Sequence, residues 1–153
     1  MSEQNNNFEE FYGYKFEELS VGQSAVYART VTEADILMFA GVSGDYNPVH
    51  INEELAASTM FGGRIAHGML SAGFISTVLG TKLPGPGCIY LSQTLKFMAP
   101  VRAGDTVRAE VTITSIERER RRVTFATVCK VGGKSVLEGE ALTMVPRRPG
   151  PAA

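Results

Sequence analysis

Two hydrophobic periods divide the chain. Between residues 30 and 80 the apolar positions recur mainly at helical spacing, and beyond residue 88 they alternate. Ahead of both, Gln23 to Thr30 reads as a strand. Thr32 then has the character of a helix N-cap, with Asp35 at the third position of a capping box and Ile36, Leu37, Phe39 and Ala40 following at helical spacing until Gly41. A short helix is predicted over 52–58, then a break at Phe61-Gly62-Gly63-Arg64. The next segment, IAHGMLSAGFISTVLG over 65–80, is apolar on nearly every side and rich in small residues. A helix of that kind has to be surrounded by other structure, and Leu83-Pro84-Gly85-Pro86-Gly87 stops it.

The second half changes to period two. Ile89, Leu91, Leu95 and Phe97 share one parity, Val107, Ala109, Val111 and Ile113 another, and Val123, Phe125, Thr127 and Cys129 a third run. Gly132-Gly133 marks a two-residue hairpin into a strand over 134–144, and Ala103-Gly104-Asp105 marks a further turn. The fold class is therefore α+β: one domain over 1–153, an antiparallel sheet wrapped around a long central apolar helix, with flexible ends at about 1–12 and 146–153. Open sheet edges would be covered by a second copy, so a homodimer is expected.

Composition narrows the function by exclusion. With 15 basic and 16 acidic residues the net charge is −1, which gives no electrostatic case for nucleic acid or for an anionic membrane. The start MSEQNNNFEE lacks the basic and apolar regions of a signal peptide, and the stretch 65–81 holds a histidine and several polar residues, so no membrane span is expected. Cys88 and Cys129 lie in apolar runs without metal-binding or redox spacing, as small core side chains do. The cytoplasm is the expected location.

The chemistry concentrates in SGDYNPVH, residues 43–50. Asp45 and His50 are five positions apart. On a helix that spacing separates them by about 140°, and on a strand it puts them on opposite faces. Only a bend brings them together. Gly44 permits one, Pro48 fixes its own φ and keeps Asn47 out of the helical region, and Asn47 can hydrogen-bond nearby backbone. An acid and an imidazole at one point can hold a water and exchange protons with it. The same residue types also form ordinary turns, and the loop by itself leaves both readings open. Asp45, His50 and His67 are too few ligands at recognisable spacing for a metal centre, and no G-x-S-x-G elbow supports a serine nucleophile.

The run Phe39-Ala40-Gly41-Val42-Ser43-Gly44-Asp45-Tyr46-Asn47-Pro48-Val49-His50, with Ala56 beyond it, resembles the hydratase-2 motif of MaoC-like (R)-specific enoyl-CoA hydratases, a hotdog-fold family. Ile65-Ala66-His67-Gly68-Met69-Leu70 resembles the start of that family's central helix. Tyr90 to Phe97, with Pro100-Val101 and Gly104-Asp105, resembles the strand and turn that follow. The likeness runs over about 15–145.

This resemblance implies a hotdog domain that hydrates trans-2-enoyl-CoA thioesters to (R)-3-hydroxyacyl-CoA. It implies Asp45 and His50 as the dyad holding the water, and the Gly68 N–H as the donor to the thioester oxygen. Asn47, Ser76 and Leu79 are weaker candidates: Asn47 for the bend, Ser76 for a hydrogen bond to Asp45, Leu79 for the acyl pocket. No cofactor and no metal are expected, since coenzyme A arrives with the substrate. A dehydratase acting on acyl-carrier-protein thioesters or on branched or dicarboxylic CoA esters, and a non-catalytic thioester-binding protein, are the alternatives. His67 is expected to be structural. The run Glu117 to Arg122 reads as a solvated hairpin end, with coenzyme A phosphates as the other use for its arginines.

Overall fold

The structure, a computed structural model, describes residues 8–149. Six strands form one antiparallel sheet: β1 (Ser24–Thr30), β2 (Ile89–Gln93), β3 (Lys96–Phe97), β4 (Thr106–Glu117), β5 (Arg122–Val131) and β6 (Lys134–Met144). The order across the sheet is β1-β4-β5-β6-β2, with β3 also pairing with β6. Four helices precede β2: α1 (Glu33–Ser43), α2 (Pro48–Ile51), α3 (Glu53–Ala57) and α4 (Gly68–Thr81).

The period-two pattern places the core. On β4 the buried positions are Val107, Ala109, Val111 and Ile113, and on β5 they are Val123, Phe125, Thr127 and Cys129. Both match the predicted parity. Against this face α4 lays Ser71, Ala72, Phe74, Ile75, Val78 and Leu79. Burying each of the larger side chains contributes about 1.5–3 kcal/mol. The β5–β6 turn is Gly132-Gly133, with φ of 55° and 79°, as a tight hairpin of the twisted type requires.

Several expectations need correction. The predicted helix over 65–80 starts three residues later, because Ala66 donates its N–H to the Val101 carbonyl at 2.6 Å and stays extended. Nor is α4 enclosed. Met69, Gly73, Ser76 and Gly80, spaced four, three and four apart, are exposed along one side, since a single sheet covers only one face of a helix. The helix expected over 52–58 is present as α3, and an additional short helix, α2, precedes it; each is begun by an asparagine, the Asn47 and Asn52 side chains accepting from the Val49 and Leu55 N–H groups at 3.2 and 3.1 Å. The block over 89–97 divides into β2 and β3, and β2 exposes Ile89, Tyr90 and Leu91.

The segments expected to fray make contacts where they are described. Glu9–Phe11 forms a 3-10 turn, and Arg148 bonds Glu9 and the Gly13 carbonyl; residues 1–7 and 150–153 lie outside the described residues. The charge run forms the exposed turn between β4 and β5. Within it, Arg121 folds inward over the Phe16 ring and bonds Glu17 and the Val145 carbonyl. No described helix is long and apolar enough to cross a membrane.

The capping box that opens α1 is formed in full. Asp35 N–H donates to Thr32 Oγ1 at 3.1 Å, and Thr32 N–H donates to Asp35 Oδ2 at 3.0 Å. Arg29, at the end of β1, grips the same carboxylate at 2.6 and 3.2 Å. Arg29 and the Thr32 N–H hold the Asp35 carboxyl down at about 2, from an ordinary value of 3.8. A depressed carboxyl stabilises the fold above its ordinary range, and that contribution is lost as pH falls through about 2. Asp35→Ala is expected to cost about 1–3 kcal/mol in urea unfolding at neutral pH, with the gap from the parent closing between about pH 4 and pH 2.

Candidate active site

The loop between α1 and α2 is built by local hydrogen bonds. Helix α1 runs past Gly41 to Ser43 and closes on Gly44, whose φ of 79° is the left-handed geometry that glycine adopts without strain. Gly44 N–H donates to the Ala40 carbonyl at 2.8 Å. The Ser43 hydroxyl bonds the Phe39 carbonyl at 2.7 Å and receives the Asp45 N–H at 3.1 Å. Asn47 N–H donates to Asp45 Oδ1 at 3.2 Å. Pro48 occupies the first turn of α2, where its missing N–H costs nothing. The bend thus ends in a helical turn that carries His50 back toward Asp45.

The two ends meet with a gap between them. His50 Nε2 lies 4.0 Å from Asp45 Oδ2, too far for a direct hydrogen bond. An oxygen about 2.8 Å from each atom would fit the gap with an angle of about 90° between the two bonds, close to the angle between the hydrogens of water. His50 is nearly closed off, whereas Asp45 leaves about half of its side chain open. The tautomer of His50 follows from its other nitrogen. Nδ1 sits 2.8 Å from the Ile65 carbonyl, which can only accept, so Nδ1 carries the hydrogen and Nε2 offers a lone pair. One oxygen of Asp45 is held by the Asn47 N–H, and the other faces the gap.

Two features of the site were not legible in the sequence. His67 Nε2 is 2.9 Å from the Asp45 carbonyl oxygen, and its ring stacks on His50 with centroids 3.8 Å apart. The partners are 22 and 17 positions away, beyond the reach of any spacing argument; the only hint was a histidine ahead of the glycine that opens an apolar helix. The second feature is an apolar cavity of about 500 Å³ touching His67 and Gly68, with walls from Met60, Phe61, Phe97 and Met98. Its walls come from four separated stretches of chain, which no local pattern links.

Gly68 is the first residue of α4, where N–H groups have no carbonyl of their own helix to bond and the helix end carries partial positive charge. It is exposed, and a Cβ there would lie 2.5 Å from the Phe97 ring, so a larger residue would require that ring to move. Ser76 and Leu79 are not brought to the dyad. Ser76 is eight residues along α4, about 12 Å by the helical rise; it is exposed and has no hydrogen bond to Asp45 among the described residues. Leu79 is 1% exposed and packs in the core.

Asp45, His50 and His67 each offer a ligand atom within 4.8 Å of the others. The geometry suits hydrogen bonding better than chelation. His67 Nε2 is engaged by the Asp45 carbonyl, and the two rings lie within 29° of parallel. Lone pairs lie in the plane of an imidazole, so stacked rings do not converge on one ion.

Residues 18–135 match the family described as the MaoC like domain. The chain is 62% identical over 133 residues to an (R)-specific enoyl-CoA hydratase of Rhodospirillum rubrum, covering 87% of this chain and 92% of that protein. It is 50% identical over 133 residues to a 3-hydroxybutyryl-CoA dehydratase of Methylorubrum extorquens, covering 87% and 85%. Among solved structures, an R-hydratase of Pseudomonas aeruginosa in its unliganded form superposes with a TM-score of 0.82 at 47% identity, over 88% of this chain and 86% of that one.

The conformation of Gly44 sets where Asp45 points. Gly44→Ala is expected to destabilise the protein by about 1–2 kcal/mol, the cost of a side chain in left-handed geometry; urea unfolding of the purified variant against the parent measures it.

Proposed function

The chain belongs to the MaoC-like family and has its hotdog fold, and from this we propose that it is an (R)-specific enoyl-CoA hydratase whose water is held between Asp45 and His50. The observation that carries the proposal is the 4.0 Å gap between a carboxylate oxygen and a bare imidazole nitrogen, beside the start of α4. Both groups accept hydrogen bonds from one water and leave its lone pairs for a substrate carbon.

The step follows from that arrangement. The water oxygen adds to C3 of a trans-2-enoyl thioester as a proton passes to the dyad. The C2=C3 π pair moves toward the thioester, and negative charge grows on the thioester oxygen. The Gly68 N–H meets that charge at the positive end of α4. A proton then returns to C2 from the dyad, on the face where the oxygen was added, and the product is the (R)-3-hydroxyacyl thioester. Run backwards, the same groups remove water. Coenzyme A enters with the substrate, and the step draws on no other cofactor. The apolar cavity beside Gly68 offers its methionine and phenylalanine walls to the flexible part of the thioester.

We also read the protein as a homodimer of the cytoplasm. Supporting the dimer are the open stripe of α4, the exposed Leu37, Met38 and Val42 of α1, and Ile89 and Leu91 on the edge strand β2. Supporting a reducing compartment are two unpaired cysteines, with burial pushing both thiols upward, that of Cys129 to about 12. Sedimentation at micromolar concentration should give twice the mass of one chain; a monomer would remove the dimer reading.

The activity is tested with purified protein and trans-2-enoyl-CoA esters of short and medium chain, following loss of the enoyl absorbance and the chirality of the product. Turnover to the (R) product is expected, and no turnover with any ester would sink the proposal. Asp45→Asn and His50→Ala should each lower kcat by about 10²–10⁴-fold with unchanged circular dichroism. Near-parental kcat in either variant would remove the dyad assignment.

A further inference from the structure

His67 sits where three helices meet. It is the residue from which α4 starts, its ring stacks on His50 of α2, and it contacts Phe39 of α1 with centroids 4.7 Å apart. Its side chain is closed to solvent, with the residue 2% exposed. The bond from its Nε2 to the Asp45 carbonyl has a fixed direction. A carbonyl cannot donate, so Nε2 carries the hydrogen and Nδ1 is the bare nitrogen. That Nδ1 is buried and has no hydrogen-bond partner among the described residues. A buried polar atom left unsatisfied costs stability, a cost that the Nε2–H bond to the Asp45 carbonyl opposes.

The Asp45 loop shows what the histidine adds. Among the described residues, the other hydrogen bonds of residues 44–47 run to partners within four positions along the chain. Among the described residues, the His67 bond is the one hydrogen bond from residues 44–47 to a distant part of the chain. The ring that makes it also lies flat against His50. One side chain therefore holds the backbone under the acid and packs on the imidazole that the Ile65 carbonyl holds at Nδ1, and it is itself fixed by the first turn of α4, which presents the Gly68 N–H.

We propose that His67 is a positioning residue for the hydration step, holding Asp45 by its Nε2–H and His50 by its ring face, and so setting the gap in which the water sits. This rests on reading Asp45 and His50 as the dyad. His67 gives and takes no proton in the step.

The test uses His67→Phe, which keeps a planar ring and removes both nitrogens, and His67→Gln, which keeps an amide donor near the position of Nε2. His67→Phe removes the Nε2–H bond to the Asp45 carbonyl together with the unpartnered Nδ1, two opposing effects on stability, so it should melt within a few degrees of the parent, yet its kcat should fall about 100-fold, the effect of misplacing reacting groups by about 1 Å. Its KM should stay near the parental value, since the dyad rather than the thioester pocket is disturbed. His67→Gln should recover kcat to within about tenfold of the parent, the worth of one hydrogen bond. Parental kcat in His67→Phe would overturn the proposal, as would equal loss in both variants, which would point to packing alone. On the parent protein, long-range ¹H–¹⁵N spectra should show His67 protonated at Nε2 and His50 at Nδ1; the opposite tautomer at His67 would overturn the proposal whether or not the variants fold. Asp45→Asn and His50→Ala are the controls. If they keep activity, the dyad reading fails; if they lose it while His67→Phe does not, the positioning role fails.

Discussion

The burial of six side chains on one face of α4, from Ser71 to Leu79, is the contact from which the site takes its position. It presses the helix onto β4, β5 and β1 and so fixes where the helix begins. Its first N–H groups, which have no acceptor in their own helix, then lie at a set place above the sheet. His67 and Gly68 stand at that end, and the loop carrying Asp45 is bonded to it. A helix free to slide or rotate would carry away its free N–H groups and the His67 bond to Asp45 together. Packing and chemistry are connected here through one helix terminus.

The electrostatics follow from which atoms are already engaged. Each histidine gives one nitrogen to a backbone carbonyl, His50 to Ile65 and His67 to Asp45. Those bonds decide both tautomers without any charged partner. Asp45 likewise gives one oxygen to the Asn47 N–H. The groups left over, one oxygen and one nitrogen 4.0 Å apart, are both acceptors, and such a gap is suited to a molecule that brings two hydrogens. Elsewhere two arginines are tied into the scaffold. Arg64 joins Glu33 of α1 to Glu53 of α3 at 2.7 and 3.1 Å, and Arg29 holds Asp35. These pairs brace the helices that frame the loop.

The sequence made much of this legible, for reasons of period and of local chemistry. The alternation at Val107 to Ile113 and Val123 to Cys129 reported a sheet with one buried face, and Thr32 with Asp35 reported the start of α1. Gly44 and Asn47-Pro48 reported a bend able to join Asp45 to His50, and the family resemblance named the pair. What stayed hidden was set by contacts distant in sequence. The end of α1 moved from Gly41 to Gly44 because only Gly44 takes the left-handed geometry. The start of α4 moved to Gly68 because Ala66 pairs with Val101. Hydrophobicity could not reveal that one side of α4 is uncovered, since that side carries methionine, glycine and serine rather than charge. His67, expected to be structural, is bonded to one member of the dyad and stacked on the other, and no local pattern records either contact.

On the proposed reading a single water, held by Asp45 and His50 on one face, supplies the oxygen, and the same groups return the proton. The most direct measurement is hydration of trans-2-butenoyl-CoA in deuterium oxide, with the configuration at C2 and C3 of the product read by NMR. The product is expected to be (R) at C3, with deuterium at C2 on the face that received the oxygen. Deuterium on the opposite face, or scrambled over both faces from the first turnovers, would contradict it.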